Sequence, residues 1–175
     1  MDLSIIIFLL GGLFLGWSLG ANDAANVFGT AVGTRMVRFK TAAIVCSIFV
    51  ILGAIISGAG TTETLGKLGA INALPGAFAA CVAAGISVYL MTKVGLPVST
   101  TQAIVGAIVG WNLYTGSATN IKVLITILGT WVLCPVIAGL IAMGFFTLTK
   151  NFLLKRKLHI LRLDAYTRTA LLLAG

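Results

Sequence analysis

Asn22, Asp23 and Asn26 stand together in the stretch GANDAAN, Gly20–Asn26, at the end of the apolar run MDLSIIIFLLGGLFLGWSL. On a helix Asn22 and Asn26 share a face, with Asp23 beside them. A carboxylate within an apolar span is costly and faces a cavity or a partner. Carboxylate and carboxamide oxygens suit a hard cation such as Na+, and carbonyls freed by local unwinding complete its shell. A carboxylate that gains and loses a proton would serve H+ coupling equally well. A solvated Asp23 at the membrane edge is the plainer alternative.

A second constellation is Ser99, Thr100, Thr101 and Gln102, which follow Pro97 and Val98 and precede the apolar AIVGAIVG. A helix starting here offers free N–H groups and the positive end of its dipole. Three hydroxyls added to that end make a cradle for an oxyanion, with no fixed cation needed. Such a site also releases its anion more readily than one built on buried arginines. The alternative is an ordinary Ser/Thr cap after a proline loop. No nucleophile–base pair, Cys/His ligand cluster or phosphate-binding glycine loop accompanies these residues, so an enzyme is not expected.

The elements that must position them are membrane spans. The chain has 175 residues, 59% hydrophobic and 9% charged, with 21 glycines. A soluble domain carries about 25% charged residues. The expected class is an all-α integral membrane protein, a polytopic helical bundle. Apolar segments fall at residues 3–28, 41–58, 73–91, 94–111 and 121–148, against a need of about 20 residues per span. The first helix is expected to break at GANDAAN. The short fourth segment suggests that segments three and four form a re-entrant hairpin with its tip at Pro97–Thr101. Five full crossings are the other option. Gly12, Gly16 and Gly20 form a row that lets another backbone approach, within the protomer or in a homodimer. Pro135 predicts a kink.

Charge sets orientation. The net charge is +8, but it sits in two clusters: Arg35, Arg38 and Lys40, then Lys150, Lys155, Arg156, Lys157, Arg162 and Arg168. Clusters beside apolar spans mark the cytoplasmic side and argue against nucleic acid as a partner. Met1 is thus expected outside, with the first loop and the tail 150–168 in the cytoplasm. His159 belongs to that tail, and Glu63 and Lys67 read as a solvated pair in an outer loop. Cys46, Cys81 and Cys134 read as buried small apolar residues. Trp111, Tyr114 and Trp131 read as interfacial anchors or packing residues. An odd number of crossings would invert a copy appended after Gly175. The ending ALLLAG resembles Ile5–Gly12, IIIFLLGG. The domain reading is therefore a first transmembrane repeat over 1–169 and the start of a second over 170–175.

The stretch GANDAANVFGTAVGTRMVRFKTA, from Gly20, resembles the first signature of the PiT family of inorganic phosphate transporters. GLPVSTTQAIVGAIVG, Gly95–Gly110, resembles its second conserved region. The resemblance implies symport of inorganic phosphate driven by Na+ or H+, across the plasma membrane, through two inverted repeats of which this chain holds the first. It maps Asn22, Asp23 and Asn26 onto the first signature, and Ser99, Thr100 and Thr101 onto the hydroxyl motif; the expected cation site is Asp23, Asn22 and Asn26, and the expected phosphate site is Ser99, Thr100, Thr101, Asn22 and Gln102. Many members carry His where this chain has Gln102, which removes a titratable group and favours sodium as the driver. Relatives with altered signatures carry sulfate, whereas GAND is intact here. A passive anion channel or a non-transporting receptor on the same scaffold is the reading of a different class. Beyond the co-transported cation, no cofactor is implied.

Overall fold

The computed structural model describes residues 3–69, 74–155 and 160–174. Its elements, all helical among the described residues, are α1 (Leu3–Gly33), α2 (Phe39–Leu68), α3 (Leu74–Lys93), α4 (Thr100–Thr115), α5 (Ile121–Lys155) and α6 (Ile160–Ala174). They divide into two compact units, Met1–Ile121 and Lys122–Gly175. Among the described residues, four helices are long and apolar enough to cross a membrane: Ile5–Gly33, Phe39–Leu68, Leu74–Lys93 and Ile121–Asn151.

Within the first unit, α3 runs alongside α1 in the same direction. Phe8 meets Phe78 edge-on at 5.7 Å. Further along, Trp17 meets Tyr89 at 5.6 Å, and Asn22 faces Thr92. The close approach uses glycine. A Cβ at Gly85 would lie 2.7 Å from the Phe14 ring, and one at Gly11 would lie 2.8 Å from Phe78. Ala80, Ala84, Val88, Val105 and Ile108 fill the small core between the helices. α4 then returns antiparallel to α3, bringing the Trp111 indole onto Gly76 near the start of α3. The same end is tied to α2, where the Asn120 N–H donates to the Leu68 carbonyl at 3.0 Å.

The ends of α4 follow from its sequence. Ser99 caps its start, its hydroxyl oxygen accepting from the Gln102 N–H at 3.3 Å. Gly116 ends it with φ 68, a left-handed conformation that glycine adopts without steric cost. α4 has 16 residues, about 24 Å of helix, which is short of a hydrocarbon core about 30 Å thick.

The structure corrects the expectations for α1 and α2. α1 is one unbroken helix of 31 residues through GANDAAN. It contains no proline, and the Asn22 amide reaches the neighbouring chain without the helix opening. The irregular backbone lies in the turn 94–99 before α4. α2 runs on to Leu68, so Glu63 and Lys67, expected in a loop, form an i,i+4 ion pair on its last turns. Within the first unit the packing glycines of α1 and α3 are Gly11 and Gly85, while a Cβ at Gly12, Gly16 or Gly20 would meet nothing within 4 Å, which leaves that row open to a backbone outside the unit.

The second unit holds α5, which continues through Pro135, and α6. No residue in the apolar window of α5 is buried within the chain, which suits a lipid environment. Cys134 is exposed on α5, and Cys46 and Cys81 are half-buried, so none of the three is the fully buried residue expected. His159 and the residues around it, 156–159, lie outside the described residues. Part of the expected tail is structured, since Lys150 and Lys155 continue α5 and α6 carries Arg162 and Arg168.

Candidate functional site

The two polar motifs meet. Asn22 is 4% exposed and lies where α1 passes the turn between α3 and α4. Its Nδ2 donates to the Val98 carbonyl at 2.6 Å and to Asp23 Oδ1 at 2.7 Å. Its Oδ1 faces the Val98 N–H at 3.4 Å and the Thr92 hydroxyl at 3.4 Å. One side chain thus reads both backbone groups of Val98 and aligns its own neighbour, Asp23. The last two contacts are long and weak. Thr92 also donates to the Val88 carbonyl at 2.8 Å, which fixes its rotamer.

Asp23 is half-buried. Its Oδ1 is 3.5 Å from the Thr100 hydroxyl, and Thr100 is itself 7% exposed. The carboxylate of the first motif therefore looks across at the hydroxyl turn of the second. Asn26, one turn further along α1, is exposed, as are Ser99, Thr101 and Gln102. The structure brings Asn22, Asp23 and Thr100 together in direct contact. Asn26, Thr101 and Gln102 border that cluster with open side chains, and the Ser99 oxygen is engaged in the α4 cap.

Gly12, Gly16 and Gly20 precede Asn22 in α1, and Gly106 and Gly110 follow Thr100 in α4, each with open space where a Cβ would stand. Ser18, one turn before Asn22, is 1% exposed, and its hydroxyl has no hydrogen-bond partner in the structure. The sequence reading missed Thr92 and Ser18, and gave Val98, at the expected hairpin tip, no role of its own. Val98 acts through its backbone and Thr92 from the last turn of α3. Ser18 carried a faint signal, as a hydroxyl four residues before Asn22 on the same face.

Chemically, the arrangement offers a carboxylate at the edge of a buried polar cluster. It faces a helix start rich in hydroxyls and free N–H groups, an anion-favouring end with no basic side chain in the turn. The phosphate transporter family profile matches residues 19–172, a stretch that contains both motifs. The chain belongs to this family. A protein of Thermococcus kodakarensis named "Putative phosphate permease" is 34% identical over 167 residues, 90% of this chain and 41% of that protein. A "Sodium-dependent phosphate transporter" of Plasmodium falciparum is 33% identical over 156 residues, 82% of this chain and 23% of that one. A solved structure, "The sodium-dependent phosphate transporter", superposes with a TM-score of 0.77 at 33% identity, covering 87% of this chain and 40% of the other. The chain spans about two-fifths of the length of the first of these relatives. Family and spans together make it an integral multi-pass membrane protein of a transporter family, which is not a class of enzymes.

Proposed function

We propose that this chain is the first of two inverted repeats of a sodium-coupled symporter of inorganic phosphate in the plasma membrane. The observation that carries the proposal is the seating of the Ser99–Thr101 turn against Asn22 and Asp23, in a chain of the phosphate transporter family.

Phosphate binds at the start of α4, held by the hydroxyls of Ser99 and Thr101, the Gln102 amide and the free N–H groups of the first turn. Thr100 couples that turn to Asp23. Na+ binds at the Asp23 carboxylate with the open Asn26 amide, and its charge offsets the repulsion between carboxylate and anion. Asn22 is the clamp that sets both motifs in register. Its Nδ2 is held by Val98 and Asp23, while its Oδ1, with only long contacts to Val98 and Thr92, keeps capacity to face either ion. The names of the Plasmodium relative and the solved structure support sodium over a proton, as does a glutamine at position 102.

The short α4 supports a re-entrant hairpin. The turn meets α1 at Asn22, eleven residues before Gly33, about 16 Å short of that end of the helix. The basic residues 35–40 support a cytoplasmic location for that end, with Met1 outside.

The test is uptake of labelled phosphate into proteoliposomes containing the longest native product, with and without an inward Na+ gradient and with sulfate as competitor. Sodium-dependent accumulation above equilibrium, insensitive to sulfate, is the expected result. Equilibration without accumulation would replace the symporter by a passive pathway. Competition by sulfate would change the anion.

A further inference from the structure

Lys93 is the last residue of α3 and stands directly before the turn 94–99 that leads into α4. Its depth follows from its neighbours on α1. Trp17 meets Tyr89, one turn before Lys93, and Asn22 meets Thr92, beside it. From Asn22, α1 runs on for eleven residues to Gly33, about 16 Å of helix. Asp23 is the one charged residue between Leu3 and Gly33. Lys93 therefore lies level with the interior of α1, well short of the loop that carries Arg35, Arg38 and Lys40.

A cation in the last turn of a helix suits the dipole there, and at a membrane surface that would account for it. Within a span a lysine is costly and marks a partner or an ion pathway. Among the described residues Lys93 has no carboxylate partner. Asp23 bonds Asn22 and faces Thr100, Glu63 pairs with Lys67, and Asp164 pairs with Arg168. The Lys93 ammonium instead rests over the Tyr89 ring, 5.0 Å from its centroid. Tyr89 leans on Trp17 at 5.6 Å, and Trp17 stacks on Phe14 at 6.1 Å. A ring holds a cation in place without neutralising it. Lys93 is exposed within its unit, so its charge stays available to an anion approaching the turn.

We propose that Lys93 recruits the transported anion. Its charge draws phosphate toward the start of α4, while the Tyr89 ring holds the ammonium back from the bound anion. The inference rests on the phosphate reading of that site. Attraction without contact speeds arrival and leaves release to the hydroxyls and N–H groups of the turn.

The test is the initial rate of Na+-driven uptake of labelled phosphate into proteoliposomes containing the longest native product, as wild type, Lys93→Gln and Lys93→Arg. Na+ is held fixed and choline chloride varies the ionic strength. In Lys93→Gln the rate at low phosphate falls about tenfold, the saturated rate is unchanged, and the deficit shrinks as salt screens the charge. Lys93→Arg keeps the charge and the stacking on the ring, and it restores the low-phosphate rate. A purely structural lysine gives a different pattern: a lower melting temperature and a lower saturated rate, neither dependent on salt. That pattern overturns the inference, as does an unchanged rate in Lys93→Gln. Wild-type protein that takes up no phosphate overturns the phosphate reading and this inference with it, which keeps the two failures apart.

Discussion

Asn22 donates to the carbonyl of Val98 at 2.6 Å across 76 positions of sequence, and that bond joins the two polar motifs of the chain. Asn22→Ala leaves the Val98 carbonyl and N–H without this partner beside a buried position. The expected loss is about 1–3 kcal/mol, read as a lower unfolding midpoint in detergent. An Asn22→Ala protein as stable as wild type would show that the turn is held by other contacts.

Gly69 and Asn112 meet at the opposite end of the hairpin. A Cβ at Gly69 would collide with the Asn112 side-chain amide, and Asn112 is fully buried, donating to Thr119 at 3.0 Å. Gly69→Ala must displace that amide, at about 1–3 kcal/mol. In an Asn112→Ala background the obstacle is gone, so the same substitution costs little. A double-mutant cycle by thermal unfolding should show this coupling, and additive effects would remove the steric explanation.

Gly85 and Gly12 differ in the same measurement. Alanine at Gly85 drives a Cβ into the Phe14 ring at 2.7 Å, whereas Gly12 faces open space within the unit. Gly85→Ala lowers stability by about 1–3 kcal/mol. Gly12→Ala leaves the fold of this unit intact and, if anything, helps the helix by up to about 1 kcal/mol. A destabilising Gly12→Ala would place a partner backbone on that row.

Ser99 and Thr101 separate capping from anion binding. Ser99→Ala removes the α4 cap and costs about 1 kcal/mol of stability along with phosphate affinity. Thr101 is exposed, so Thr101→Val leaves stability unchanged. It weakens phosphate binding about tenfold, the worth of one hydrogen bond to a charged group. Phosphate titration of both variants, beside their melting curves, checks the split.

The membrane class and the main spans were legible in the sequence, because apolar length and clustered charge are local signals. The polar residues of GANDAAN and the Ser99–Gln102 run announced themselves by their cost in an apolar setting. Their meeting was not legible, since it depends on the antiparallel return of α4 and on a turn whose backbone, rather than any side chain, is what Asn22 reads. The same contact explains why a broken α1 was the wrong expectation. Three polar residues in a span suggested an opened helix, yet Asn22 finds partners outside its own helix and α1 stays closed. α2 outran its apolar run, and Glu63 and Lys67 pair four residues apart on its exposed last turns, a contact that accompanies the added helix but is too weak to set its length.

Phosphate binding measured as a function of Na+ concentration, in wild type and in Asp23→Asn, tests most directly the pairing of a cation at Asp23 with an anion at the Ser99–Thr101 turn. The expected result is a wild-type phosphate affinity that rises with Na+, and an Asp23→Asn protein that stays folded and no longer responds to Na+. An Asp23→Asn protein with undiminished sodium dependence would contradict that assignment and place the coupling ion elsewhere.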